Sequence, residues 1–84
     1  MIATLNWLCQ HVAIVRLYND GDSLTGPWVW CVVVIRHGDT AELQGAKTAP
    51  RGDARRAGER ALREAGFKRY WFKRDDGRTF QHEL

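Results

Sequence analysis

The chain is poor in cysteine, serine and proline, and each shortage closes off a class of function. Its two cysteines, Cys9 and Cys31, cannot make the multi-bridge framework of a small secreted domain, and no signal-peptide pattern precedes them. Both stand among apolar neighbours, where free cysteine serves as a small buried hydrophobe, so a reduced, cytoplasmic chain is expected. The one serine, Ser23, has no histidine beside it. Metal-ligand pairs are missing too. Cys9-Gln10-His11 is a lone pair, and His37 and His82 stand apart, whereas structural zinc needs a full ligand set in paired spacing. The glycines are scattered and form no phosphate cradle. No cofactor and no metal are expected. The longest apolar run, residues 28–35, is too short to span a bilayer, so no membrane partner is expected either.

What is present is enough for one small folded domain. A chain of 84 residues has room for a single core, and 44% hydrophobic with 27% charged residues is a globular composition. The net charge of +3 is unevenly spread. Residues 1–50 carry Arg16, Arg36 and Lys47 against four acidic side chains, while residues 51–84 carry ten basic against six acidic ones. Such asymmetry points to an anionic partner, nucleic acid or an acidic protein surface. Interspersed Glu59 and Glu64 also fit a plain solvated helix face.

The spacing predicts one helix, over residues 51–65. Ala54, Ala57, Gly58, Ala61, Leu62 and Ala65 fill one arc, and Arg55, Arg56, Glu59, Arg60 and Arg63 fill the other. Glu59 and Arg63 stand in the favourable i,i+4 order. Pro50 suits the first turn, and Gly66 suits the left-handed position just past the last one. The remainder reads as strands: residues 12–18, 28–36, 40–46, 67–74 and 79–83, with turn signals at residues 19–27, 37–39, 47–53 and 75–78. Residues 2–9 alternate like an additional strand, although a helical spacing also fits them. The expected architecture is α+β: a mostly antiparallel sheet with one helix packed on one face, in the order β-β-β-α-β-β, and the further N-terminal strand.

The strand over residues 28–36 is apolar on both faces. Val29, Cys31, Val33 and Ile35 would line one, and Trp28, Trp30, Val32 and Val34 the other. One helix covers one face of a sheet, so something else must cover the second: the N-terminal segment, a second copy of the chain in a homodimer, or a protein partner. Tryptophans anchor binding surfaces, which makes Trp28, Trp30 and Trp71 candidates beside the basic set Arg55, Arg56, Arg60, Arg63, Lys68 and Arg69. Catalysis finds little support. Cys31, His37 and Asp39 are the only nucleophile, base and carboxylate close in sequence, with Cys31 expected mid-strand and buried and the other two in a turn.

Residues 48–78, TAPRGDARRAGERALREAGFKRYWFKRDDGR, resemble in style the short, Arg- and Ala-rich accessory proteins of phages and prophages. Small anti-CRISPR proteins are similar in size and element order. The resemblance implies an inhibitor that occupies a surface of a host defence or regulatory complex. The basic excess departs from the acidic decoy surfaces such proteins often present. A non-enzymatic protein-binding module is therefore the first expectation, and a small nucleic-acid-binding protein using the Arg-rich helix is the second.

Overall fold

Six short segments, the longer ones rich in β-branched side chains, pair into one sheet. In the computed structural model, which describes all residues except 22, 25 and 47–49, β1 (Ile2–Trp7), β2 (Val12–Tyr18), β3 (Trp30–His37), β4 (Thr40–Gln44), β5 (Arg69–Lys73) and β6 (Thr79–Glu83) lie side by side in sequence order. The helix α1 (Gly52–Glu64) stands between β4 and β5. The α+β class and the element order are as expected, and residues 2–7 form the additional strand. Neighbouring strands run antiparallel except β4 and β5, which are parallel. The crossover helix causes this, because it carries the chain back along the sheet before β5 begins. Lys47 and its two successors, part of the turn expected before the helix, lie outside the described residues.

Strand parity sorts the side chains. Ala13 and Val15 of β2, Val32 and Val34 of β3, Ala41 and Leu43 of β4, and Tyr70 and Phe72 of β5 all point to the helix side and form the core with Leu62 and Phe67. The helix lies chiefly over β1 and β2 and buries Ala61 and Leu62. Its alanine-rich underside allows that close seat. Gly66 (φ 96°) closes the last turn with a Schellman motif. The Phe67 N–H donates to Leu62 O (3.1 Å) and the Gly66 N–H to Arg63 O (2.9 Å). At the other end Pro50 precedes the helix rather than sitting in its first turn, and the N-cap, Arg51, makes no side-chain cap.

Three expectations about buried residues need correcting. Cys31 is exposed, because its parity puts it on the face away from α1, and Cys9 is exposed just beyond β1. Trp28 precedes β3 and does not share a face with Trp30. Its ring lies 5.2 Å from the Arg16 guanidinium, whose strand partner is Cys31. The N-terminal segment extends the edge of the sheet as β1 and therefore does not fold over the second face.

Candidate functional site

The second face of the sheet is left open, and its chemistry is graded. Val12 and Ile14 of β2 stand opposite Ile35 and Val33 of β3, and Arg16 stands opposite Cys31. Val33 is 37% exposed in mid-strand. Polar residues border this apolar centre: Thr4 and Asn6 on β1, and Glu42 and Gln44 on β4. Glu42 is held from both sides, by His37 Nε2 at 2.7 Å and by Gln44. Beyond β4, Trp71 lies half-buried opposite Glu42. An apolar centre within a polar rim is the anatomy of a protein interface.

The tryptophan candidates do not converge. Trp30 packs against the core on the helix side. Trp28 and Trp71 both accompany the open face, but at its two ends. Two strand spacings and about seven residues of rise put roughly 25 Å between their backbones.

The basic candidates separate just as clearly. Arg55 is drawn inward. Its Nε donates to Glu59 Oε2 (3.1 Å), Nη2 lies 3.1 Å from His82 Nδ1, and the guanidinium lies 5.7 Å from the Phe80 ring centre. Arg69 is a stitch on the open face, bonding Asp39 (2.8 Å) in the turn before β4 and Glu83 (3.0 Å) on β6. Those two carboxylates, Glu83 first, hold its pKa above the ordinary arginine value. Lys68 is exposed, and its backbone joins Asp39 O (2.7 Å) to the Leu84 N–H (2.9 Å). This leaves Arg56, Arg60 and Arg63 as the exposed ridge. Arg56 pairs with Asp53, while Arg60 and Arg63 have no hydrogen-bond or ion-pair partner among the described residues. The ridge and the open sheet face lie on opposite sides of the molecule. Tyr70 and Phe72, the aromatics between the basic residues of β5, belong to the core and do not accompany the ridge.

One polar cluster was not foreseen. Glu59 Oε2 accepts the Tyr70 hydroxyl (2.7 Å) and Arg55 Nε, with His82 Nε2 at 3.4 Å, and the Glu59 side chain is only 12% exposed. Glu59 therefore pairs with Arg55, not with Arg63. Burial pushes its carboxyl up, but Tyr70, Arg55 and His82 outweigh that and hold it below the ordinary range. Burial and the facing carboxylate push Tyr70 up to about 12. Both groups are thus locked in their resting protonation states at neutral pH, the opposite of what acid–base catalysis needs. The cavity beneath, about 30 Å³ and lined mainly by apolar side chains, has room for about one water. The only sequence signal for this cluster was the Arg55–Glu59 spacing.

The Cys31–His37 dyad does not form. Six residues of extended strand put roughly 20 Å between them, and His37 is engaged by Glu42. Among the described residues no group of His, Cys, Asp and Glu gathers to hold a metal, and no helix is long and apolar enough to cross a membrane. No family model, curated protein or solved structure matches the chain.

Proposed function

We propose that this chain is a non-enzymatic protein-binding module that docks through the open face of its sheet. The observation that carries the reading is the exposed apolar block of Val33 and Cys31, with Val12, Ile14 and Ile35 beside it, inside a polar border. Apolar surface of that kind is stabilised by being covered. The occupant is a second copy of the chain or a different protein in a cytoplasmic setting. The resemblance to phage accessory proteins makes a host defence complex the first partner to try.

Val33→Lys tests the proposal, since a charge at the centre of the patch opposes burial while leaving the helix-side core untouched. Light scattering over a range of concentrations separates the two occupants. Self-association that Val33→Lys abolishes supports the homodimer. A monomer that captures a partner only with Val33 intact supports the heterologous version. A monomer whose captured proteins are unchanged by Val33→Lys overturns the reading.

Nucleic-acid binding is the second reading, and the observation favouring it is that Arg60 and Arg63, on the exposed arc of α1, have no ion-pair partner among the described residues.

A further inference from the structure

Beyond the last turn of α1, three residues from distant parts of the chain meet at the end of the sheet. Trp7 closes β1, Arg36 lies near the end of β3, and Phe67 follows the helix. The Arg36 guanidinium lies 4.4 Å from the Trp7 ring centre and 5.5 Å from that of Phe67, and the two rings are 6.0 Å apart. Phe67 is buried in the core, whereas Trp7 is 40% exposed. The Arg36 N–H donates to His11 O at 2.8 Å, which draws the turn between β1 and β2 against the same place.

Arg36 lacks what a guanidinium in such a setting normally has. No carboxylate pairs with it among the described residues, and its Nε is buried without a hydrogen-bond partner. Aromatic faces attract the cation, but they do not accept its N–H groups as an oxyanion does. Beside it opens a surface groove lined by Trp7, Cys9, Gln10, His11 and Arg36, with no acidic side chain in the lining.

We propose that this groove binds a nucleotide, with its phosphate on the two terminal nitrogens of Arg36, Nε being closed to solvent, and its base against the exposed side of Trp7. A planar guanidinium matches two phosphate oxygens, and an indole face stacks on any base. Gln10 and His11 supply further hydrogen-bonding groups at the rim. A simple carboxylate would satisfy Arg36 but leave the Trp7 face in water. The site stands on the helix side of the sheet, so it does not depend on docking through the open face.

Titration of adenosine monophosphate, followed by chemical shifts of the backbone amides and of the Trp7 indole N–H, tests the assignment. Saturable shifts confined to Trp7, Gln10, His11 and Arg36 are expected. Arg36→Gln and Trp7→Leu should each weaken binding by about tenfold or more, and Lys73→Gln, at an exposed position on β5 away from the groove, should leave it unaltered. Should the Arg36 variant fail to fold, adenosine and inorganic phosphate serve on the unaltered chain, and each should bind about tenfold more weakly than the nucleotide. A short oligothymidylate that outcompetes the nucleotide would identify a strand as the source, and the reverse order a free nucleotide. No saturable shift in the groove at millimolar nucleotide, or adenosine binding as tightly as its phosphate, would overturn the proposal.

Discussion

The Tyr70 hydroxyl donates to Glu59 Oε2 across 2.7 Å, joining the middle of α1 to β5. The helix otherwise rests chiefly on β1 and β2, so this bond, with Arg55 and His82, ties it to the other half of the sheet. Tyr70→Phe keeps the ring in the core and removes only the hydroxyl. A hydrogen bond to a half-buried carboxylate contributes about 1–2 kcal/mol, so chemical denaturation should report a loss of that size. An unchanged midpoint would show that water replaces the hydroxyl without cost.

The same pair sets a pH dependence at both ends of the scale. Tyr70 is raised from 10.0 to about 12 in the folded chain, so its contribution is complete below pH 10.0 and fades as pH rises toward about 12. Glu59 is lowered from 4.5, so its contribution is complete above 4.5 and fades as pH falls through the lower folded value. Thermal melts across pH should show both flanks. Tyr70→Phe should remove this tyrosine's part of the alkaline one.

Leu62 is the one large side chain that the helix buries, at 4% exposure in the core cluster. Leu62→Ala is expected to cost about 2–5 kcal/mol. A melting temperature equal to that of the unaltered chain would contradict the docking of α1.

Gly66 holds a left-handed backbone at the end of the same helix. Gly66→Ala should destabilise by about 1–2 kcal/mol, although a Cβ there meets no neighbour. The cost comes from the backbone alone, so Gly66→Asn should recover part of it. Equal stability of the alanine and asparagine variants would argue against a conformational origin.

Arg60 and Arg63 decide the nucleic-acid reading. If they neutralise phosphates, replacing both with Gln should weaken binding across all sequences and flatten the dependence of log affinity on log salt by about two units. Filter binding or anisotropy at several salt concentrations measures this. Binding that is weak and insensitive to the double change would leave the open sheet face as the interaction surface.

Cys9 and Cys31 should both react with a thiol reagent in the folded protein, because both are exposed. Reaction only after denaturant is added would mean that Cys31 is covered, as it would be in a homodimer through the open face. Dilution or Val33→Lys should then release it.

The elements themselves could be read from the chain, because their signals are local. A β-rich composition marked β2, alternation marked β4, three- and four-residue spacing marked α1, and Gly66 marked its end. Alternation in residues 2–9 favoured a strand over the competing helical spacing, and β1 forms over Ile2–Trp7. The ridge was legible only as an arc. Which of its arginines stay free depends on carboxylates and rings from elsewhere: Arg55 meets Glu59, His82 and Phe80, while Arg69 meets Asp39 and Glu83.

Periodicity determined which residues of a strand share a face, since side chains alternate whatever the strand pairs with. It did not determine which face of β3 meets the helix, because both faces are apolar and offer no local contrast. The tertiary structure decided that, placing Val32 and Val34 under cover and Val33 and Cys31 in water. It also decided the parallel pairing of β5 with β4, which follows from the path of the crossover helix. The meeting of Arg36 with Trp7 and Phe67 is of the same kind. Those three residues are far apart in sequence, and only the closing of the sheet and the turn after α1 bring the guanidinium onto the two rings.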